Sequence, residues 1–170
     1  MILAVNYPST LSSKVLSRLV LSGQLPTSSV NSCFLGGAVI AAIGGLGRLW
    51  CFRALGRYFT HQLAVRKDHK LITTGPYAIV RHPGYMFGMM SASGMSLMIA
   101  SPGSFTRHCG WLGTSFGRVV IGVWAMQNVL GWVLSYMRCQ HEDGLLRARF
   151  REEWDGYAQR VRYQMIPGVY

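Results

Sequence analysis

The sequence predicts an all-α integral membrane protein with about three transmembrane helices, or four if residues 1–32 also cross, and a cytosolic amphipathic C-terminal helix. Three observations predict this class. Half of the 170 residues are hydrophobic and only 14% are charged, whereas soluble proteins average about 25% charged residues. Three long runs are almost free of charge, and the basic residues between them are unevenly distributed. We expect one membrane domain that comprises residues 1–170.

The three predicted spans have the length that a bilayer requires. About 20 apolar residues cross the hydrocarbon layer, and the runs are 33–52, 83–101 and 119–137. The first contains Arg48, whose long side chain can extend to the interface. Small residues recur at every fourth position of this run, which predicts a face where a second helix packs closely. They are Gly37, Ala41 and Gly45.

Residues 1–32 do not have the pattern of a signal peptide, because no basic segment is followed by an apolar core and a cleavage site. Lys14 and Arg18 interrupt the apolar residues. We expect a short interfacial helix around residues 11–21. The sequence leaves open whether this region crosses the membrane.

Basic residues favour one orientation of the spans. The connection 48–81 holds seven Lys and Arg residues and the tail from 138 holds six, against two each in 102–118 and 1–32. Cytosolic loops are enriched in Lys and Arg, so we expect segments 53–82 and 138–170 to be cytosolic. With three spans these segments lie on the same side of the membrane, and their residues can form one site.

The tail looks helical up to about Arg162 and carries one apolar face. Spacings of 4, 4, 3 and 4 place five apolar residues on that face, namely Leu146, Phe150, Trp154, Tyr157 and Val161. Arg138 and Glu142 continue it backwards to the membrane edge. They form either an ordinary i,i+4 surface pair, worth about 0.2–0.5 kcal/mol, or the charged groups of a functional site.

Residues 69–85 form a polar, turn-rich segment directly before an uncharged run. Gly75-Pro76 marks one turn and Pro83-Gly84 a second. Tyr77, Arg81 and His82 lie between the two turns, and a second tyrosine, Tyr85, follows directly. One interpretation is a binding loop at the mouth of a membrane helix. The other is a basic loop whose Tyr and Arg anchor the interface.

Several classes of site are not indicated by the sequence. The cysteines are scattered without a CxxC pair, at Cys33, Cys51, Cys109 and Cys139, so neither a zinc site nor a disulfide framework is predicted. HExxH, GxSxG and P-loop motifs are absent. The net charge of +11 follows the predicted membrane topology, and no nucleic-acid-binding module is visible. We therefore expect a lipid bilayer, and no nucleic acid, as partner.

The side chains at the predicted membrane edge suit a zwitterionic or anionic ligand. Arginine and histidine recognise carboxylates, glutamate accepts hydrogen bonds from a ribose diol or pairs with a cation, and tyrosine offers an aromatic face to a sulfonium.

From about Phe59 to Pro167 the chain resembles the isoprenylcysteine carboxyl methyltransferase family of membrane enzymes, within a group that includes phospholipid N-methyltransferases. The resemblance depends on an ordered set of motifs around a hydrophobic hairpin. The set reads His69-x-Leu71-Ile72-Thr73-x-Gly75-Pro76-Tyr77, Arg81-His82-Pro83-x-Tyr85-x-x-Gly88, Arg138-x-x-x-Glu142-Asp143-x-x-Leu146, and then Phe150, Trp154, Tyr157, Val161 and Pro167.

The resemblance implies methyl transfer from S-adenosyl-L-methionine to the C-terminal carboxylate of a prenylated cysteine in CaaX-processed proteins, at the cytosolic face of the endoplasmic reticulum. It implies a catalytic pair, Arg138 and Glu142, with Arg138 on the substrate side. The family's pattern places cofactor contacts on Gln62, His69, Lys70, Leu71, Ile72, Tyr77, His82, Pro83, Gly84, Tyr85 and Glu142.

The chain departs from the family in two respects. The family usually has two glutamates where this chain has Glu142-Asp143, and the shorter aspartate is expected to weaken a supporting contact. Members generally have additional spans before the matched region, so we expect the wall that binds the prenyl group to be either incomplete or supplied by a second copy, which leaves a homo-oligomer open.

Two other functions stay open from the sequence. The first is an N-methyltransferase of the same group that acts on a phospholipid or another amine, which would need a base because an amine nucleophile has to lose a proton. The second is a shortened, non-catalytic membrane paralogue.

Overall fold

The computed structural model describes residues 30–56, 70–102, 104, 107 and 110–169. Within these residues the chain forms helices and turns and no strand, which confirms the predicted all-α class for this part. The interfacial helix and the fourth span that residues 1–32 could contribute lie almost wholly outside the described residues.

The described part contains four α-helices. They are α1 (Ser32–Leu55), α2 (Pro83–Ala100), α3 (Ser115–Phe150) and α4 (Glu152–Arg160). Two short 3-10 turns, Gly75–Ala78 and Trp111–Gly113, precede α2 and α3. Helices α1 and α2 thus coincide with the first two predicted spans to within a few residues, whereas α3 continues 13 residues past the predicted end at 137 (150 − 137).

Local signals in the sequence account for the helix starts. Asn31 caps α1, since its side-chain oxygen accepts a hydrogen bond from the backbone N–H of Phe34 at 2.9 Å. The Thr114 hydroxyl does the same for Gly117 at the start of α3, at 3.0 Å. Pro83 opens α2, where its missing N–H costs nothing because the first turn of a helix has no intrahelical acceptor for it.

Two of the described helices, α1 and α3, are long and apolar enough to cross a membrane. None of the most apolar 18-residue stretch of α3 is buried, and only 17% of that of α1. A core helix of a water-soluble protein would bury such a surface, so these exposed apolar faces favour a membrane protein. That α2 crosses as a third span stays a prediction.

The described chain divides into two compact units. The first comprises the described residues up to Val39 together with those from Gly94 to Gln127. In it α1 and α2 approach closely at Gly37, where an added Cβ would lie 2.7 Å from the carbonyl oxygen of Gly94 and 2.9 Å from the side chain of Met98.

The second unit comprises Ile40–Ser93 and Asn128–Tyr170, and within it Gly44 and Gly47 bring α1 against α2. A Cβ on Gly44 would lie 2.7 Å from the carbonyl oxygen of Phe87, and one on Gly47 would overlap the ring of Phe87. At Gly45, in contrast, no described residue lies within 4 Å of an added Cβ. The predicted four-residue stripe is therefore wrong at Gly45, because positions seven apart stay on one helix face better than successive positions four apart.

The predicted helix from 138 to about 162 is interrupted. Arg151 has a φ of 46°, a left-handed conformation that a residue with a Cβ rarely adopts. It separates α3 from α4, so the C-terminal segment is the end of α3, a one-residue break and the nine-residue α4. The five apolar residues of the predicted face nevertheless pack together, with Trp154, Tyr157 and Val161 buried and Leu146 and Phe150 against them.

Candidate functional site

Two adjacent carboxylates on α3, Glu142 and Asp143, are the centre of the candidate site. Consecutive helix positions point about 100° apart, so the two side chains contact different parts of the segment 81–85. That segment follows the 3-10 turn and enters α2, and all of these residues belong to the second unit.

Glu142 joins three side chains that the sequence had singled out. Its Oε1 accepts a hydrogen bond from the Tyr85 hydroxyl at 2.5 Å and one from Nε of Arg138 at 3.3 Å. Its Oε2 lies 3.5 Å from Nδ1 of His82. Arg138 and Glu142 are an i,i+4 pair, and the Arg138 side chain is 44% exposed. Glu142 is thus held by Tyr85 and His82, and it holds in turn the partly exposed guanidinium of Arg138.

His82 lies between the two carboxylates and is only 5% exposed. Its Nε2 is 2.6 Å from Oδ1 of Asp143, while its Nδ1 faces Glu142. Burial lowers the pKa of His82, but the hydrogen bonds with Asp143 and Glu142 outweigh it, and the net pKa lies above the ordinary value. Both ring nitrogens are engaged by the protein itself.

Asp143 accepts hydrogen bonds from more partners than the sequence suggested. Besides His82, it accepts from the side-chain amide of Gln164 at 2.8 Å, and Nη2 of Arg81 lies 3.4 Å away. The shorter side chain thus reaches three partners, with Gln164 and Arg81 at Oδ2 and His82 at Oδ1. That a supporting contact is weaker than with a glutamate stays a prediction.

The C-terminal tail pairs with the segment that precedes α2. The backbone N–H of Arg81 donates to the carbonyl of Tyr163 at 2.9 Å, and the N–H of His82 donates to the carbonyl of Gln164 at 2.7 Å. Gln164 also accepts from the side chain of Gln140 at 3.1 Å. The tail is therefore part of the wall of the candidate site.

Tyr77 and Tyr157 fix the 3-10 turn to α4. The Tyr157 hydroxyl donates to the backbone carbonyl of Tyr77 at 2.8 Å. Burial raises the pKa of both tyrosines above the usual range, so the Tyr157 hydroxyl stays protonated at neutral pH and can donate this hydrogen bond.

The structure brings together four of the predicted site residues, His82, Tyr85, Arg138 and Glu142. Pro83 is buried beside them as the first residue of α2, whereas Gly84 has open space at its Cβ position. Lys70 is exposed and Ile72 half-buried, while Leu71 packs against the Trp154 cluster. Gln62 and His69 lie outside the described residues.

Gln164 is the residue of the network that sequence reasoning missed altogether. Arg81 was named in the possible binding loop and Asp143 as a supporting residue, but their contact with each other was not predicted. Gln164 gives no signal in the sequence, because its role depends on a tail that returns to residue 82 across a separation that spacing cannot show.

Parts of the chain are similar in sequence to known proteins. Residues 37–109 match the model of the isoprenylcysteine carboxyl methyltransferase (ICMT) family. A probable protein-S-isoprenylcysteine O-methyltransferase from Oryza sativa subsp. indica is 32% identical over 127 residues, which are 74% of this chain and 56% of that protein. Protein-S-isoprenylcysteine O-methyltransferase B from Arabidopsis thaliana is 29% identical over 127 residues, covering 74% and 55%.

A shorter match is to the cobalt-zinc-cadmium resistance protein CzcN of Cupriavidus metallidurans. It is 34% identical over 65 residues, which are 38% of this chain and 26% of that protein. No solved structure matches this chain. The chain spans a little over half the length of the plant relatives. The family match and the plant relatives agree with one another, and both show that the chain is similar to the isoprenylcysteine carboxyl methyltransferase family.

Proposed function

We propose that the chain transfers a methyl group from S-adenosyl-L-methionine to the C-terminal carboxylate of an S-prenylated cysteine. The observation that carries the proposal is the exposed guanidinium of Arg138, held at 3.3 Å by a Glu142 carboxylate that Tyr85 also contacts. The printed names of the plant relatives describe this reaction class.

Arg138 is the group that recognises the substrate carboxylate. A guanidinium forms paired, charge-assisted hydrogen bonds with a carboxylate, and the 44% exposure of this side chain makes it accessible to one. Glu142 limits the rotation of Arg138 because it accepts from Nε, the nitrogen nearest the aliphatic stem.

The residues around Glu142 fit S-adenosyl-L-methionine in chemical type. The cofactor carries a diol and a sulfonium cation, for which a carboxylate and aromatic faces are suitable partners. Glu142, Tyr85 and Tyr77 are residues of those types, and Lys70, Leu71 and Ile72 lie in the segment that precedes Tyr77 in the chain. When bound, the cofactor supplies an electrophilic methyl group, so that a carboxylate oxygen forms the new bond to carbon as the carbon–sulfur bond breaks and its electron pair stays on sulfur.

No residue of the chain has to remove a proton in this reaction, since a carboxylate is already ionised at neutral pH. This agrees with the engagement of both ring nitrogens of His82 by carboxylates. The contribution of the chain is to hold the nucleophile in line with the methyl group and to exclude water. An amine acceptor would need a base, and His82 is not placed to be one.

The membrane setting of the proposal follows from α1 and α3, whose exposed apolar faces suit the prenyl group as well as lipid. We place the chain in the endoplasmic reticulum membrane as a multi-pass protein, as the family resemblance implies. The basic residues of segments 53–82 and 138–170 favour a cytosolic position for both segments.

The test is transfer of radiolabelled methyl from S-adenosyl-L-methionine to N-acetyl-S-farnesylcysteine, in membranes that contain this chain. We expect base-labile label on the prenylcysteine, which is the property of a methyl ester. Label on phospholipid alone would select the N-methyltransferase, and an absence of both label and cofactor binding would select the non-catalytic paralogue. Expression of this chain alone also tests whether a second protein is required.

A further inference from the structure

The carboxylate of Asp143, like that of Glu142, is contacted by three side-chain donors, but its side chain is less exposed, at 15% against 22%. His82, Gln164 and Arg81 approach it at 2.6, 2.8 and 3.4 Å, and its side chain is 15% exposed. The three donors come from both sides of the pairing between the tail and the segment before α2. A carboxylate that accepts hydrogen bonds from several side chains fixes the positions of those side chains.

His82 connects this carboxylate to Glu142. A neutral imidazole has one N–H and one lone pair, so it can donate to only one of two carboxylates, and its other nitrogen would repel the second. An imidazolium can donate from both nitrogens, and in this structure Nε2 lies 2.6 Å from Asp143 while Nδ1 lies 3.5 Å from Glu142.

The other groups around His82 are compatible with a positive charge. From α2 it faces the Tyr85 ring, at 6.1 Å between centroids. From the tail it faces the backbone carbonyl of Gln164. On its own segment Arg81 is a cation, but one directed at Asp143, and Arg138 is directed at Glu142. Two carboxylates therefore meet two guanidinium groups and one imidazole.

We propose that Asp143 is a positioning residue that acts through an imidazolium at His82 to orient Glu142. Asp143 holds Nε2, which turns the ring so that Nδ1 faces Glu142, while Tyr85 and Arg138 hold the other oxygen of that carboxylate. The orientation of Glu142 serves the methyl transfer proposed above, and this part of the inference rests on that function. The direction of the pKa of His82, raised although the ring is buried, supports the same charge state.

The first measurement is the NMR titration of ¹⁵N-histidine in the full chain in detergent micelles, with His82→Gln to assign the His82 signals among those of the five histidines. We expect the midpoint of His82 to lie above pH 6.5, the ordinary value, with both ring nitrogens protonated below that midpoint. Asp143→Asn removes one charge and should move the midpoint to lower pH, and Asp143→Glu should restore it. A neutral His82 at pH 6.5 in the unmodified chain would overturn the proposal without reference to any variant.

The second measurement is methyl transfer to N-acetyl-S-farnesylcysteine as a function of pH. Asp143→Asn should lower kcat about tenfold at pH 7 and move the alkaline decline of activity to lower pH, whereas Asp143→Glu should keep most of the activity. A purely structural role would lower the amount of folded protein and leave the pH profile unchanged, which would contradict the proposal. If the titrations behave as expected and the unmodified chain transfers no methyl group, the His82 charge state is supported and the proposed function is what fails.

Discussion

The hydroxyl of Tyr85 donates a hydrogen bond to Glu142, 57 positions further along the chain, at an oxygen–oxygen distance of 2.5 Å. Tyr85 lies in the first turn of α2 and Glu142 near the end of α3, so one bond connects the two helices that contribute to the candidate site. Hydrogen bonds to a charged acceptor contribute about 1.5–3 kcal/mol when both partners are partly buried.

Replacing Tyr85 by Phe should therefore lower kcat/KM for the prenylcysteine about 10- to 150-fold, because each 1.36 kcal/mol of lost stabilisation is a factor of ten. The ring and its packing remain. Tyr163→Phe is the matched control, since its side chain is 40% exposed and its role at the site lies in its backbone carbonyl. Equal activity of the two variants would show that the Tyr85 hydroxyl does not serve the reaction.

Removing the guanidinium of Arg138 should abolish turnover and leave the fold intact. The Arg138 side chain is 44% exposed, so Arg138→Ala costs little stability, while the loss of a paired carboxylate contact should reduce methyl transfer by at least about 100-fold. Arg138→Lys should recover only part, because an ammonium is a point charge and not a planar fork. Arg118→Ala, at an exposed position in the first turns of the same helix, controls for net charge, and full activity in Arg138→Ala would remove this residue from the site.

Glycine packing between α1 and α2 predicts a sharp difference between two adjacent positions. Gly44→Ala would force a Cβ against the backbone of Phe87 and Ser91, and overpacking of this kind costs about 1–3 kcal/mol. Gly45→Ala meets no described residue within 4 Å and should be neutral or slightly stabilising, since alanine favours helix over glycine by about 1 kcal/mol. Thermal unfolding of both variants in the same detergent measures this difference, and equal melting temperatures would contradict the close approach.

Stability should depend on pH through His82. Its pKa is higher in the folded chain than the ordinary value of about 6.5, so folding favours proton uptake. The stabilisation is complete below pH 6.5 and is lost as the pH rises through the folded pKa. The difference in melting temperature between the unmodified chain and His82→Gln should shrink as the pH is raised from 6 to 9. A difference that grows over that range would show that the folded state prefers neutral His82.

Uncharged runs and basic loops were sufficient to predict the helical class and the approximate bounds of α1 and α2. They also predicted that residues near 82 and residues near 140 can meet, because three spans place both segments on one side of the membrane. In the structure, Glu142 contacts Tyr85 and His82, so the two segments do lie together.

Other features depend on contacts that one sequence does not show. The left-handed conformation at Arg151 has no glycine to indicate it, so the periodicity of apolar residues predicted one continuous helix. The partners of Asp143 lie 61 and 21 positions away in the chain, and no spacing rule connects them. The aspartate side chain is long enough to contact Gln164 because the folded tail brings that residue close to it.

Cys139 is completely buried, one residue after Arg138 and one helical turn before Asp143, on the face of α3 that points into the second unit. A thiol in such a position reacts with an alkylating reagent only when the surrounding structure opens, so its labelling rate reports the free energy of local opening. Cys33 is exposed and provides the rate for an accessible thiol in the same sample. The alkylation rate of Cys139 therefore measures how often the structure around the carboxylate network opens. A ligand that orders this region should slow the alkylation of Cys139.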